Sequence, residues 1–299
     1  MSPEAFDEVN LEAFDKAWDG VVFFPTYSAP TPLSSAFSKA YEAYFKAVKN
    51  FVDLTTRWNC RPLGLVVATQ LLEFPSTVRT VARMVAYRKD PVEYGFNTIK
   101  AEHHGKNPVL LLPGRFSSWQ ALGDLASSLK EAGVPVFVMN LSDNAGLPTE
   151  RDRLDILDKI DTIRAQYLNM FHEEAPVTHL VGHSRGGEMA FDAAFTVDCS
   201  FIDDKTGDLQ FYDDKMPECN PLIGRVVTLG MPTNDKELMW AEQAQKAHDL
   251  FNIVAKYDAI VTGSSALADS HLLQVFVVDK GHLGIIDSDT YTLVKHILA

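Results

Sequence analysis

The stretch from Thr178 to Ala190 reads Thr-His-Leu-Val-Gly-His-Ser-Arg-Gly-Gly-Glu-Met-Ala. Its first part is an apolar run of the length of a buried strand, and its last part carries residues typical of a helix. Ser184 lies between the two parts and is flanked, two residues away on each side, by Gly182 and Gly186. Because glycine leaves room where a strand and a helix pass closely, this spacing predicts a sharp strand-to-helix turn with the serine hydroxyl above the sheet edge.

The chain on both sides of this turn alternates apolar runs of strand length with segments of helical period. The runs are rich in Val, Leu and Ile without polar alternation, which indicates strands buried on both faces. The predicted strands are Val109–Leu112, Val134–Leu141, Val177–Val181, Arg225–Leu229, Leu250–Ala255 and Leu272–Val278. The predicted helices are Ser117–Ala132, Thr149–Phe171, Arg185–Phe195, Asn234–Asp249 and Ile285–Leu298. This alternation predicts an α/β fold over residues 107–299, with a mostly parallel central sheet flanked by helices.

Residues 1–106 show a different pattern and are expected to form a mainly helical N-terminal extension. Ser35–Trp58 carries aromatic and apolar residues at three- and four-residue spacing, which predicts an amphipathic helix. Leu63–Phe74 is nearly all apolar, a further helix is expected over Ser76–Tyr87, and Tyr94–Ala101 is a candidate extra strand. We expect the extension to pack on the sheet as part of the core; covering a binding cleft is a second role that is compatible with the first.

An insertion over residues 199–219 separates the helix after Ser184 from the next predicted strand. Two short apolar runs, Phe201–Ile202 and Leu209–Tyr212, flank a turn at Gly207, which predicts a β-hairpin. The aspartates of this insertion also suggest a calcium loop. However, they lack the alternate-position spacing of an EF-hand and its Glu at the twelfth place, so a solvated hairpin is the prediction.

The 299-residue chain has a formal net charge of −13 and a pI of about 5.1. A broadly acidic surface repels phosphate backbones, so nucleic acid is not expected as a partner. The three cysteines are too few for a disulfide framework. The first residues lack the features of a signal peptide, and the longest apolar stretch, Leu63–Leu72, is about half the ~20 residues that cross a bilayer. A cytoplasmic protein with no transmembrane segment is therefore expected.

The residues around Ser184, in their strand–turn–helix context, resemble the nucleophile elbow of the α/β-hydrolase family. The resemblance covers about residues 107–299 and implies a serine nucleophile followed along the chain by an acid and then a histidine. Asp258 comes just past the carboxyl end of a predicted strand and is similar to the family's acid, with Asp279 as the weaker alternative. His282 lies in a Gly-His loop after the last predicted strand, where the family has its general base.

The resemblance also implies an oxyanion hole made of two backbone N–H donors. One is Arg185, directly after the serine, and the other is expected from the loop after the first core strand. In that loop Arg115 takes the donor position and Phe116 is the alternative, while Pro113 stands where family members usually have His. No spacing of His, Cys or carboxylate residues supports a metal site, so neither a metal nor a cofactor is expected.

The connection between the predicted strands Arg225–Leu229 and Leu250–Ala255, where many α/β-hydrolases insert a cap domain, holds only one predicted helix. The core is therefore similar to that of small bacterial lipases, and the apolar N-terminal helices are the candidate cover of an acyl pocket. The resemblance implies an esterase or lipase-like enzyme whose small-molecule substrate is a carboxylic ester with a hydrophobic acyl chain. A thioesterase or acyltransferase would use the same triad, and a non-catalytic binding protein on this scaffold is the alternative of another class.

Overall fold

The computed structural model describes residues 76–142, 150–196, 200–202, 209–211, 218–231, 250–255, 258, 274–278 and 280–299. The predictions for residues 1–75, the helix Asn234–Asp249, the turn at Gly207 and the alternative acid Asp279 lie outside the described residues.

Strands of the described chain form one large sheet and two small ones. In chain order the strands are β1 (Val109–Leu112), β2 (Val136–Val138), β3 (Thr178–His183), β4 (Phe195–Thr196), β5 (Ser200–Ile202), β6 (Leu209–Phe211), β7 (Glu218–Cys219), β8 (Ile223–Leu229), β9 (Leu250–Ala255) and β10 (Gln274–Val278). In the large sheet the order is β2-β1-β3-β8-β9-β10, and every neighbouring pair is parallel. With helices on both faces this is an α/β fold with a parallel central sheet, so the predicted fold class is confirmed.

Five helices of the described chain flank this sheet or pack at its edge. They are α1 (76–86), α2 (Gly123–Glu131), α3 (Glu150–Phe171), α4 (Arg185–Ala193) and α5 (Ser288–Leu298). Short 3-10 helices lie at Pro91–Tyr94, Ala101–His103 and Trp119–Leu122. The helix predicted over Ser117–Ala132 is therefore a 3-10 turn followed by α2.

The central strand β1 shows why its sequence is apolar at every position. Leu110 belongs to the core on the side of α3 and α4, where it packs in one cluster with Ile156. Leu111 belongs to the opposite core, in one cluster with Leu125 of α2 and Ile297 of α5. Successive side chains of a strand point to opposite faces, so a strand covered on both faces needs apolar residues throughout.

Two small antiparallel sheets lie between α4 and β8. In one of them β5 pairs with β6, and Ser200 lies opposite Phe211. This is the pairing that a hairpin within residues 199–219 requires. In the other, β4 pairs with β7, and Phe195 lies opposite Cys219. Because β4 and β7 pair, the chain enters the insertion after α4 and leaves it before β8 at neighbouring points.

The extra strand predicted over Tyr94–Ala101 is wrong, because this segment joins two 3-10 helices instead. Gly95 ends the first of them in the left-handed conformation, with φ 77°. Its neighbour Asn97 bonds to the edge strand β2: the Asn97 N–H donates to the Val136 carbonyl at 2.9 Å, and its side-chain oxygen accepts from the Val138 N–H at 2.7 Å. One backbone bond and one side-chain bond of Asn97 therefore satisfy this part of the sheet edge without a further strand.

Helix α1 packs on the core through polar side chains and exposes apolar ones. Its buried residues are Ser76, Thr80 and Arg83, whereas Val78, Val81 and Val85 are each more than half exposed. The Arg83 Nε donates to Asp124 Oδ2 of α2 at 2.5 Å, and the Tyr87 hydroxyl donates to the other oxygen of this carboxylate at 3.1 Å. This charged anchor fixes the described end of the N-terminal extension to the α/β core.

Candidate active site

Ser184 lies at the sharp turn between β3 and α4, with φ 52° and ψ −123°. Positive φ is strained for a residue with a side chain, and such residues concentrate at functional sites. The Ser184 N–H donates to the Leu229 carbonyl at 2.8 Å, and the Ser184 carbonyl accepts from the Gly187 N–H at 2.8 Å. These bonds hold the serine between the end of β8 and the first turn of α4.

The two glycines that flank this turn have no room for a side chain. A Cβ atom at Gly182 would overlap the carbonyl group of Gly186, and a Cβ atom at Gly186 would overlap the carbonyls of Leu112 and Pro113. Both obstacles are backbone atoms, which cannot rotate away as a side chain can. Any larger residue at either position would therefore push α4 away from the sheet.

Asp258 and His282 are brought together by the loops that follow β9 and β10. The His282 Nδ1 lies 2.7 Å from Asp258 Oδ2, and both side chains are buried. The Asp258 N–H also donates to the Ala255 carbonyl at 3.3 Å, which ties the acid to the end of β9. Since a carboxylate only accepts, Nδ1 carries the proton of this hydrogen bond and Nε2 is the remaining basic nitrogen of the neutral ring.

The end of β8 connects this His–Asp pair to the serine turn. Leu229 accepts the Ser184 N–H, and the next residue, Gly230, has φ 60°. A Cβ atom at Gly230 would lie 3.4 Å from both Asp258 Oδ2 and His282 Nδ1. The predicted acid and base therefore meet beside the carboxyl end of β8, the strand whose Leu229 carbonyl holds the serine N–H, and this edge is where open α/β sheets bind their ligands.

The loop after β1 passes directly beside Ser184. A Cβ atom at Gly114 would lie 3.2 Å from the Ser184 Cβ, and the Gly114 carbonyl accepts from both the N–H and the hydroxyl of Ser117. Arg115 and Phe116 form the tip of this turn, and Phe116 has φ 57° and is 74% exposed. The predicted donor Arg115 thus directly follows Gly114, the residue that approaches the serine. The positive φ of Phe116 indicates backbone strain in the same turn.

The other predicted donor, Arg185, is the first residue of α4. The N–H groups of a first helical turn point away from the helix along its axis, where they favour negative charge. Its guanidinium is buried and pairs with the fully buried carboxylate of Asp152 in α3. The second oxygen of Asp152 accepts the Ser142 N–H at 3.1 Å. The residue next to the serine is therefore anchored to α3 and to the chain that follows β2.

The loop that carries His282 is fixed by ion pairs of Lys280, two residues before the histidine. Lys280 pairs with Asp287 at 2.5 Å and with Asp289 at 3.2 Å. Asp287 also caps α5 by accepting the Thr290 N–H at 3.1 Å. These ion pairs tie the segment before His282 to the start of the following helix, so the imidazole is held on a short and closed loop.

Two further ionisable residues lie at this site without any signal in the sequence. One is His183, whose Nε2 lies 3.1 Å from the His282 carbonyl oxygen. Burial, with a contribution from His282, lowers the pKa of His183 to about 3. Burial and the nearby Asp192 raise the pKa of Glu188, in the first turn of α4, to about 7. The contact of His183 spans 99 positions, so no local pattern could reveal it.

The described residues contain neither a metal-binding cluster nor a membrane-spanning helix. No group of three or more His, Cys, Asp or Glu side chains in this part of the chain is arranged to hold a metal ion. Among the same residues, no helix combines the length and the apolar character needed to cross a membrane.

Comparisons with known proteins show likeness at the level of structure. The sequence matches no protein-family model and no curated protein. An esterase of Pyrococcus furiosus aligns with a TM-score of 0.48 at 14% identity, over 70% of this chain and 95% of the esterase. A serine hydrolase homologue of Coxiella burnetii aligns with a TM-score of 0.42 at 13% identity, over 65% of this chain and 86% of its own. A lipase-esterase related protein of Clostridium acetobutylicum aligns with a TM-score of 0.40 at 12% identity, over 64% of this chain and 93% of its own.

Proposed function

We propose that this chain is a serine hydrolase that cleaves carboxylic esters through an acyl-enzyme intermediate. The observation that carries the proposal is the buried 2.7 Å hydrogen bond between His282 and Asp258, beside the strained turn that presents Ser184. A nucleophile, a base and an orienting acid at the carboxyl edge of a parallel sheet are the requirements of this chemistry.

In the first half of the reaction, the Ser184 Oγ attacks the carbonyl carbon of the ester while the His282 Nε2 takes the hydroxyl proton. The carbonyl π bond opens, and the resulting oxyanion accepts hydrogen bonds from the backbone N–H groups of Arg115 and Arg185. When the oxyanion collapses, the bond to the alcohol oxygen breaks, and the alcohol leaves with the proton from His282. The acyl group remains on Ser184.

In the second half, a water molecule takes the place of the alcohol. His282 removes one proton from this water as its oxygen attacks the acyl carbon, and then returns the proton to the Ser184 oxygen. Asp258 remains ionised throughout, because its role is to orient the imidazole and to stabilise its cation. The products are a carboxylic acid and the regenerated serine.

The surroundings of the serine favour a substrate with an apolar group. Phe116 exposes its aromatic ring at the tip of the loop beside Ser184. The start of α1 lies against the His282 loop, since a Cβ atom at Gly284 would be 3.3 Å from the Ser76 hydroxyl. Residues 1–75, which include the nearly all-apolar stretch Leu63–Phe74, therefore join the described chain next to the site. We propose that the extension over residues 1–106 covers an acyl pocket on the core of residues 107–299.

The nucleophile is tested by covalent labelling with a fluorophosphonate probe. The wild-type protein should be labelled at Ser184, and Ser184→Ala should abolish the labelling. Ser128→Ala, in α2 and outside the loops of the site, is the matched control and should keep it. Labelling of Ser184→Ala at the wild-type level would overturn the assignment.

The substrate class is tested with p-nitrophenyl esters from C2 to C16 and with acyl-CoA thioesters. We expect hydrolysis to rise with acyl chain length and to be lost in Ser184→Ala. A clear preference for acyl-CoA would instead identify a thioesterase. No turnover in either series, together with no labelling of Ser184, would favour a non-catalytic ligand-binding protein.

A further inference from the structure

His183 occupies the last position of β3, directly before Ser184, and its side chain is buried. Its ring lies 4.9 Å from the ring of His282, measured between centroids. Its Nε2 lies 3.1 Å from the backbone carbonyl oxygen of His282. The strand that presents the serine is therefore joined by one side chain to the loop that presents the base.

The chemistry of this contact defines the tautomer of His183. A carbonyl oxygen only accepts hydrogen bonds, so the Nε2 of His183 must carry the proton and donate. The other nitrogen, Nδ1, faces Gly114 of the loop after β1, where a Cβ atom would lie 2.7 Å from it. His183 thus touches the two segments between which a substrate carbonyl would lie.

His183 also has to remain neutral for the site to work. In the proposed reaction His282 becomes a cation, and a second cation at a ring separation of 4.9 Å would oppose that charge. Burial, with a contribution from His282, lowers the pKa of His183 to about 3. Asp258 bonds to the Nδ1 of His282 and favours a positive charge on that ring. The single proton that moves in the reaction is therefore directed to His282.

We propose that His183 is a positioning residue, which holds the His282 backbone by an Nε2–H···O=C hydrogen bond so that the basic nitrogen of His282 meets the serine hydroxyl. Asp258 fixes the rotation of the His282 imidazole about its side-chain bonds. His183 fixes the position of the His282 backbone. Both constraints are required to fix the position of one ring nitrogen. The inference rests on the proposed hydrolase function.

The alternative is a buried histidine that only contributes to packing, and the chain offers a matched example. His179 lies on the same strand and is also buried, but its ring nitrogens bond to the Arg225 N–H at 2.9 Å and to the Asn107 side chain at 3.1 Å. His179→Leu therefore removes a buried strand histidine without touching the His282 loop.

The test measures kcat and KM for a p-nitrophenyl ester, together with thermal unfolding, for variants at both positions. We expect His183→Leu to lower kcat by about 10- to 100-fold with little change in KM, because misplacement of a catalytic group by a fraction of an ångström slows the chemical step. His183→Gln, whose amide can donate to the same carbonyl, should recover most of the rate. His183→Asn, with a shorter side chain, should not.

The outcomes separate the inference from the function on which it rests. A wild-type protein whose Ser184 does not react with fluorophosphonate would overturn both. If Ser184 reacts, but kcat of the folded fraction falls equally in His183→Leu and His179→Leu, the positioning role is overturned alone. Should His183→Leu fail to fold, the comparison of Gln with Asn decides: equal kcat values for the two would overturn the inference.

Discussion

Asp152 of α3 forms a buried ion pair with Arg185, the residue that directly follows the proposed nucleophile. Both side chains are buried, and the two residues are 33 positions apart. A buried charge that loses its partner is strongly destabilising, since nothing compensates its lost hydration. The pair therefore couples the packing of α3 to the shape of the serine turn.

Breaking this pair should lower both stability and activity. For Asp152→Asn we expect the free energy of unfolding in urea to fall by about 3 kcal/mol, the order found when one partner of a buried pair is removed. The rate of Ser184 labelling by fluorophosphonate should fall as well, because Arg185 provides a proposed oxyanion donor. Asp161→Asn, on the exposed face of the same helix, is the control. Equal stability of the two variants would contradict this coupling.

Removal of the charge on Asp258 should leave the fold intact and lower the rate of ester hydrolysis. Asp258→Asn can still bond to His282, but it favours the tautomer in which Nδ1 accepts and Nε2 carries the proton. We expect kcat for p-nitrophenyl ester hydrolysis to fall by about 10³- to 10⁴-fold with a smaller change in KM. Steady-state kinetics of this variant beside Asp161→Asn, on the exposed face of α3, test the role, and a loss below tenfold would argue against Asp258 as the orienting acid.

The loss of stability on replacing a glycine of the turn should depend on which atoms the new Cβ atom contacts. At Gly186 it would overlap backbone carbonyls, whereas at Gly187 the nearest atom is the Met231 Cβ at 3.0 Å. We expect Gly186→Ala to lower the free energy of unfolding by about 3 kcal/mol or more, and Gly187→Ala to cost clearly less. Thermal unfolding of the two variants provides the comparison. The reverse order would show that the backbone around position 186 can relax.

Glu188 should make the folded protein less stable as the pH rises. Burial raises the pKa of this carboxyl from 4.5 to about 7, so between these values the folded protein keeps a proton that the unfolded chain has released. The free energy of unfolding contributed by Glu188 therefore falls as the pH rises through this window. Asp192 strengthens the pKa shift, and the positive charges of Arg185 and Arg115 oppose it.

The variant Glu188→Gln removes this titration. Relative to the wild type, its Tm should increase steadily from about pH 4.5 to about pH 7 and remain level above that range. His183 acts in the opposite direction in both proteins and cancels in the comparison: its pKa is lowered from 6.5 to about 3, so its contribution to stability is lost as the pH falls below 6.5. A constant difference in Tm over the whole range would refute the titration of Glu188.

Local sequence patterns predict those parts of the fold that depend on whether a segment is buried or exposed. The predicted bounds Val109–Leu112 and Leu250–Ala255 agree with β1 and β9, because strands covered on both faces form continuous runs of mainly apolar residues, with Asn252 as the polar residue of β9. The prediction is wrong at Tyr94–Ala101, where a similar local pattern lies at the sheet edge. There the bonds of Asn97 to β2 replace a strand pairing, and only the position of β2 in space makes them possible.

The candidate site likewise has residues that the sequence predicts and contacts that it does not. Chain order and loop context single out Ser184, Asp258 and His282, because a strand-to-helix turn and the ends of parallel strands are local features with recognisable residues. The approach of Asp258 to His282, the bond of His183 to the His282 carbonyl and the pairing of Arg185 with Asp152 join residues 24, 99 and 33 positions apart. Tertiary packing alone decides such contacts, because hydrogen bonds and ion pairs depend on distances in space that separation along the chain does not determine.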